Sequence, residues 1–357
     1  MTEQTEQETA EAKPSSSLPE YEITFKDCAD QESADRIAPI VSGIVKGMAE
    51  FLPLGRLDGF TFANDYAAAL AELDRGFGAT SALVATQEDF GVGVAMSPTI
   101  MRDGVIKTRV VMGAWFAYAL IGDSEDDRSL AVHTIAHELG HVGCHLIVEE
   151  ALPGVMLQPI PDGFASILYR HSSACWDEYF ASRWSAPLNR KLTAGYRDTV
   201  ISALKQADGR IRAAKSRFWH DGDLELVVDA VLSELGSVMK FAGYLYGHAD
   251  GINEGVYDDE GQLAETLDKL GLRDWFDDLH ERVSGLFERA GNWEDFSDFF
   301  VLNGSLVEAA SVYKVMSAGG LSIPQCGSIS SRNFLLPRRL KHLQREVSSI
   351  LGVEECR

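Results

Sequence analysis

The chain has 357 residues, 45% of them hydrophobic, and a formal net charge of −22 at pH 7. This composition is typical of a folded protein with a sizeable core. Nucleic acids are bound by a surplus of lysine and arginine that this chain lacks, so the charge argues against a nucleic-acid partner. We also expect no membrane span, because no run of about 20 apolar residues is present.

The cysteines indicate a reducing compartment. They are five in number and scattered without CxxC spacing: Cys28, Cys144, Cys175, Cys326 and Cys356. This pattern fits free thiols better than a disulfide framework. The first residues also lack the basic and apolar parts of a signal peptide. Together these features predict a cytoplasmic protein.

The amino-terminal part begins with a segment that offers little to bury. Residues 1–22 are rich in Glu, Thr, Gln and Ser, and we expect a disordered acidic tail there. Apolar residues at helical spacing then predict a helix over 31–51, ended by proline and glycine. A short strand over 58–62 and a small alanine-rich helix over 65–74 follow.

A block rich in strands comes next. Strands are predicted over 82–86, 91–96 and 105–112, with the turn Arg102-Asp103-Gly104 joining the last two as a hairpin. Residues 115–121 are apolar throughout, so the hydrophobic pattern fits a strand or a helix equally well.

Helices dominate from here on. An acidic loop leads into a long predicted helix over 126–150, whose start is favoured by capping side chains and acidic residues. A second helix is predicted over 173–184, before Pro187. The remaining predicted helices lie at 192–218, 223–246, 263–270 and 274–289.

The sequence HELGH at residues 137–141 indicates a metal-binding site. His137 and His141 lie four residues apart on one face of a helix, so both imidazoles reach one metal ion. Zinc suits neutral imidazole, and a catalytic zinc site has three protein ligands and one open position. Glu138 lies beside the metal, where its carboxylate can accept a proton from water.

A third ligand must come from elsewhere in the chain. The pattern HExxHxxGxxH would need Gly at Cys144 and His at Ile147, so that option is excluded. A carboxylate on a second helix is the alternative, and Glu178 in the helix over 173–184 is our prediction. Its neighbour Asp177 is the rival candidate.

Other polar residues near the motif have weaker indications of a role. His133 and His145 lie one turn before and after the motif histidines, where support of a ligand or simple burial is more ordinary than metal binding. Tyr246 and His248 are candidates for stabilising the charge on a substrate oxygen, although aromatic residues at helical spacing are commonly part of the core. For Cys144, a buried free thiol is expected.

The stretch TIAHELGHVGCH, residues 134–145, resembles the core of the ImmA/IrrE family of zinc metallopeptidases, with the pattern T-[IL]-A-H-E-[LIF]-[GA]-H-x-x-[LF]-H. The match includes His145. Cys144 stands where the family has Leu or Phe, and the family's E-A-N signature is missing. The resemblance covers residues 128–187 and implies a gluzincin-type domain whose second helix, here the Glu178 segment, supplies the Glu ligand. The family's known biology, cleavage of a repressor protein in a stress or mobile-element response, is implied with it.

The combined prediction is an α+β protein. A zincin-like metallopeptidase domain, with a small mixed sheet and the motif helix, is expected over 23–190, a helical subdomain over 191–318, and a separate C-terminal segment over 319–357. The activity would be hydrolysis of a peptide or protein substrate with Zn²⁺ as cofactor and Glu138 as general base. The substrate would lie along an edge strand at 105–112 or 115–121. The alternative is a catalytically inactive zincin-fold protein that serves as an interaction or regulatory module.

Overall fold

The protein combines a small sheet with a larger set of helices. The structure, a computed structural model, describes residues 18–78, 82–85, 87–88, 91–317 and 320–321. The predicted tail over 1–22 is wrong for residues 18–22, because Leu18 and Tyr21 pack on the core and the first strand starts at Glu22, and residues 1–17 lie outside the described residues. Of the predicted C-terminal segment 319–357, only residues 320–321 fall within this description.

The main sheet is mixed, as expected. Its strands are β1 (Glu22–Lys26), β2 (Leu57–Ala63), β5 (Ala95–Met96), β6 (Thr99–Arg102) and β7 (Val105–Gly113), while β3 (Gln87–Glu88) with β4 (Gly91–Val92) and β8 (Met316–Ser317) with β9 (Gly320–Leu321) form two-stranded hairpins. Strands β1, β2 and β7 run parallel to one another. On the other side of β7, β5 and β6 pair antiparallel with it, one after the other. Strand β7 is therefore an interior strand.

The predicted hairpin has the right turn but a different partner strand. Asp103 and Gly104 both have positive φ, 52° and 75°, as a two-residue turn between antiparallel strands requires. The strand paired with β7 across this turn is β6, whereas the predicted strand over 91–96 is divided at Gly93 into β4 and β5. The strand predicted over 82–86 is wrong for residues 82–85, which have no strand structure, and residue 86 lies outside the described residues.

The described helices are α1 (Gln31–Met48), α2 (Tyr66–Ala71), α3 (Ala114–Ile121), α4 (Glu125–Ala151), α5 (Gly163–Ser185), α6 (Leu192–Asp221), α7 (Leu224–Ile252), α8 (Gln262–Leu270), α9 (Arg273–Glu288) and α10 (Val301–Val312). The predicted helices are confirmed in place. Helix α4 begins where Ser124 caps it, with Ser124 Oγ accepting from the Asp127 N–H at 3.2 Å. Helix α5 begins at Gly163 rather than at 173, because Asp162 caps an earlier start.

The ambiguous segment 115–121 is helix α3. Its apolar residues lie on several faces of the helix, and Phe116, Ala117 and Leu120 are buried against the main core. A candidate substrate-binding strand over 115–121 is therefore wrong.

Helix α5 lies between α4 and α7, and small residues allow very close contact on both sides. A Cβ atom added to Gly140 of α4 would lie 2.6 Å from the Cα of Ala181. On the other side, Gly243 and Gly247 of α7 pack directly on main-chain carbonyls of α5, and a Cβ at Gly247 would lie 2.1 Å from the oxygen of Tyr179. These glycines bring three helices within reach of one another's side chains.

The hydrophobic core is continuous from the sheet to the C-terminal helices. Phe60 of β2, Leu139 of α4, Leu245 of α7 and Phe276 of α9 all belong to the same buried cluster. This cluster crosses the predicted domain boundary at residue 190. Among the described residues, no helix combines the length and the apolar character needed to cross a membrane.

Candidate metal centre

Helices α4 and α5 bring the three predicted ligands together. Nε2 of His137 lies 3.1 Å from Oε2 of Glu178 and 3.2 Å from Nε2 of His141. The third side of this triangle, from His141 Nε2 to Glu178 Oε2, measures 3.4 Å. Three donor atoms on two helices therefore converge on one point.

The triangle has the dimensions of a zinc site. Nitrogen and oxygen ligands bind Zn²⁺ at about 2.0–2.2 Å, and at tetrahedral angles such ligands lie about 3.3–3.5 Å apart. The measured separations are close to this range, and two imidazoles with one carboxylate are a donor set that zinc accepts. The close contact of Gly140 with Ala181 explains the convergence, because it places the Glu178 turn of α5 against the motif turn of α4.

The rival carboxylates occupy different places. Glu138 also has an oxygen within 4.8 Å of the two histidine nitrogens, but its Oε2 accepts a hydrogen bond from Ser97 Oγ at 2.8 Å. Asp177 instead accepts a contact from Cys144 Sγ at 3.7 Å. Because Glu178 is the carboxylate nearest to both imidazoles, we take it as the third member of the set.

Glu178 and His141 shift each other's pKa in opposite directions. Burial by itself raises the pKa of Glu178, but the hydrogen bonds to His137 and His141, and the charges of His141 and Lys240, hold that pKa well below its usual range. For His141, burial lowers the pKa, and the hydrogen bond to Glu178 with the nearby carboxylates outweighs it and raises the pKa to about 9. Glu178 is therefore an ionised carboxylate, the form in which a carboxylate can act as a metal ligand.

Two residues of α7 complete the site, and sequence reasoning missed both. Lys240 Nζ lies 3.7 Å from Glu178 Oε1. The ring of Tyr244 stacks on His137, with centroids 5.2 Å apart and an interplanar angle of 12°. Burial and the neighbouring carboxylates, Glu178 first, raise the pKa of Tyr244 well above its usual value, so its hydroxyl remains a donor. The sequence signal that could have indicated them is the four-residue spacing of Lys240 and Tyr244, which places both on one face of a helix.

Tyr246 and His248 do not reach the metal centre, and the structure corrects their predicted role. Tyr246 is fully buried, and its hydroxyl donates to the carbonyl oxygen of Phe276 at 2.8 Å. His248 is also buried, with its two ring nitrogens 3.1 Å from Thr193 Oγ1 and 3.1 Å from the carbonyl oxygen of Asn189. Neither side chain lines the cavity in front of the histidines.

The flanking histidines of α4 are held by neutral groups. His133 Nδ1 lies 3.1 Å from the carbonyl oxygen of Ser185 and therefore donates to it, which leaves Nε2 to accept from Tyr196 at 3.2 Å. His145 Nδ1 lies 2.9 Å from Thr108 Oγ1. Burial lowers the pKa of both histidines to about 3. His145 nevertheless lines the cavity next to His141.

The cysteine expectation is confirmed within the described residues. Cys28, Cys144 and Cys175 are free, and the last two are buried. Burial raises the pKa of Cys144 well above its usual value, as expected for an unreactive thiol. Cys326 and Cys356 lie outside the described residues.

A cavity of about 400 Å³ lies in front of the donor triangle. We call it the metal-site cavity; its lining includes Ala95, Met96, His141, Asp177, Lys240 and Tyr244. Strand β5, at the edge of the main sheet, forms one wall. The expectation that 105–112 is the strand beside the substrate is therefore corrected, because β7 is paired on both sides and β5 separates it from the cavity.

No family model, curated protein or solved structure matches the chain.

Proposed function

We propose that the chain is a zinc-dependent metallopeptidase with a zincin-like catalytic domain. One observation supports this above all: the donor atoms of His137, His141 and Glu178 lie 3.1 to 3.4 Å apart, and His141 and Glu178 line a cavity. Their separations suit a zinc ion, and a cavity on the remaining side leaves room for water and substrate.

The neighbouring side chains fit the reaction. His137, His141 and Glu178 would hold Zn²⁺, which would supply a Lewis acid for activating water and polarising a carbonyl group. Glu138 accepts the proton of the attacking water and returns it to the leaving amine. Ser97, 2.8 Å from the Glu138 carboxylate, orients that base. Tyr244, whose hydroxyl remains protonated, is the donor for charge that develops on the substrate oxygen.

The edge of the sheet offers a place for a peptide. Within the part of the chain that the structure describes, β5 pairs only with β7, so its outer edge has unpaired main-chain groups. An extended peptide can add to such an edge by main-chain hydrogen bonds. Because Ala95 and Met96 of β5 line the metal-site cavity, a peptide bound there would run past the donor triangle.

The test combines metal analysis with hydrolysis of unfolded protein substrates. We expect the purified chain to contain one zinc ion, and Glu138→Gln to lower the hydrolysis rate by about a hundredfold or more, because the general base is lost. The zinc content of Glu138→Gln should remain that of the wild type. Hydrolysis that survives this substitution would exclude Glu138 as the base.

The same experiment separates the proposal from its alternative, a catalytically inactive interaction or regulatory module. A chain that retains zinc but hydrolyses none of a broad set of unfolded proteins and peptides would support the inactive module. A chain that binds no zinc at all would contradict the metal centre itself.

A further inference from the structure

A second cavity of about 400 Å³ adjoins the metal-site cavity. It lies between the end of α4, the segment 155–160, the first half of α5 and the turn at Phe296–Phe300. Both cavities are lined by His145 and Asp177. These two side chains therefore belong to the walls of both cavities, and His145 lies one helical turn beyond the motif histidine His141.

Apolar side chains make up more than half of the residues that line the second cavity, although polar side chains, among them Gln158 and Arg170, line it too. Its walls include Val148, Met156, Ile160, Tyr169, Trp176 and Phe299. Trp176 and Phe299 are buried at the base, whereas Met156, Ile160 and Tyr169 are half-buried. These half-buried side chains face a space that no other described element fills.

The cavity is held in shape by packed aromatic rings. Tyr169 meets Phe296 edge to face at 4.9 Å between centroids, and Trp176 meets Phe299 at 5.6 Å. Trp293 packs on both Trp176 and Phe299 from behind. Such interlocked rings have few alternative rotamers, so the cavity exists before any ligand enters it.

The polar groups at the junction already have partners. His145 is hydrogen-bonded to Thr108 at 2.9 Å, and Asp177 accepts from the thiol of Cys144 at 3.7 Å. A ligand that passes them therefore needs no charged group of its own to satisfy them. The part of the second cavity beyond His145 and Asp177 favours an apolar ligand, since burial of an apolar side chain is favourable in proportion to its area.

We propose that the second cavity binds a large apolar side chain, aromatic or long aliphatic, of a polypeptide whose main chain lies in the metal-site cavity. The volume suits this occupant, because an apolar cavity of about 150 Å³ already accepts benzene. The inference rests on the proposed function for the identity of the ligand as a peptide substrate.

Binding to the Glu138→Gln protein tests the inference without any turnover. Two blocked Gly/Ser peptides that differ only in a central Phe or Ala are titrated, and binding is followed by the fluorescence of Trp176 and Trp293. We expect the Phe peptide to bind about tenfold more tightly or better, from the burial of one aromatic side chain. Equal affinity for the two peptides overturns the inference.

Two variants locate the preference. Ser173, which lines the second cavity one turn before Asp177, becomes bulky in Ser173→Phe and should abolish the preference for the Phe peptide. Ser202→Phe, an exposed helical position on α6, is the matched control and should retain it. Ile160→Glu, in a loop that tolerates change, provides a second test by placing a charge in the cavity. A preference that survives both Ser173→Phe and Ile160→Glu would overturn the assignment.

The wild-type enzyme then separates the two proposals. Hydrolysis of unfolded proteins without any preference for large apolar residues near the cleaved bond overturns this inference and leaves the peptidase proposal standing. A binding preference located by Ser173→Phe, in a chain without hydrolytic activity, supports the second cavity and contradicts the peptidase proposal.

Discussion

The central and flanking turns of α4 carry the same residue type on the same face, yet they differ in chemistry. In the central turns, His137 and His141 meet the carboxylate of Glu178, and the pKa of His141 is raised to about 9. In the flanking turns, burial lowers the pKa of His133 and His145 to about 3. Helical spacing alone therefore does not make a metal ligand.

The difference lies in the partner helix. Buried imidazole resists protonation unless a negative group is close. Helix α5 presents the Glu178 carboxylate to the two central histidines, while the flanking histidines find a carbonyl and two hydroxyl groups from Ser185, Tyr196 and Thr108. Both nitrogens of His133 are used in this way. His137 and His141 differ from the flanking histidines because their Nε2 atoms converge on one point with a carboxylate oxygen of Glu178.

The largest effect is expected on zinc affinity when a histidine of the central turns is removed, and it tests the contrast between central and flanking turns. His137→Ala removes one of three converging donors, so zinc affinity should fall by more than the roughly 10–100-fold typical of a residue that only supports a ligand. His133→Gln, which preserves a neutral hydrogen-bonding side chain, should lower affinity by about tenfold at most. Zinc titration against a competing chelator measures both. Equal losses in the two variants would refute the distinction.

A smaller effect is expected where α5 meets α7. In Gly247→Ala the added methyl group would lie 2.1 Å from the Tyr179 carbonyl oxygen, so α7 must shift away from α5. We expect the free energy of unfolding to fall by about 1–3 kcal/mol, as in other overpacked interiors. Denaturant unfolding measures this loss, and the shift of Tyr244 should also weaken zinc binding.

Gly209→Ala is the matched control for Gly247→Ala. Gly209 is an exposed helical glycine of α6, and a Cβ atom there would meet nothing within 4 Å. The free energy of unfolding should rise by about 0.5–1 kcal/mol, because alanine favours the helix. A loss of stability in Gly209→Ala similar to that in Gly247→Ala would contradict the role of close packing.

A further effect, seen only as the pH is lowered, is a pH dependence of stability that comes from the flanking histidines. Because their pKa is about 3 when folded and about 6.5 when unfolded, the unfolded chain binds protons that the folded chain does not. Their stabilising contribution is complete above about pH 6.5 and declines as the pH falls towards about 3. The slope approaches about 1.4 kcal/mol per pH unit for each histidine.

Substitution of single histidines sharpens this pH test. His133→Gln and His145→Gln should each reduce the slope of unfolding free energy against pH between about pH 7 and about pH 5. His220→Gln is the control, because His220 is exposed to water on α6. An unchanged slope in His133→Gln and His145→Gln would show that other groups control the acid sensitivity.

Much of the secondary structure could be predicted from the sequence, because capping residues and turn residues act on their immediate neighbours. The start of α4 follows from Ser124 and the acidic residues of its first turn, and the β6–β7 turn follows from Asp103-Gly104. The choice of Glu178 over Asp177 agrees with the geometry, since Glu178 is the carboxylate within 3.4 Å of both motif histidines. The first two inferences used residues close together in the chain, whereas Glu178 lies 41 residues beyond His137.

The remaining features depend on long-range packing. Helix α7 is buried on almost all sides, so its hydrophobic pattern could not distinguish the face of Tyr244 from that of Tyr246. The contacts of Gly236, Gly243, Gly247 and Gly251 with α5 set that rotation. Similarly, β5 is only two residues long, and it is defined as a strand by its pairing with β7. No short-range sequence pattern indicates this pairing.

The contact of α5 with α7 has a thermodynamic consequence for ligand binding. Because the glycines have no side chain and touch carbonyl groups, these particular contacts between the helices restrict no rotamers, and no side-chain entropy is lost in forming them. The separation of Lys240 and Tyr244 from Glu178 is then governed by two rigid main chains. A ligand that enters the cavity meets groups that are already ordered, so little of its binding free energy is consumed in ordering them.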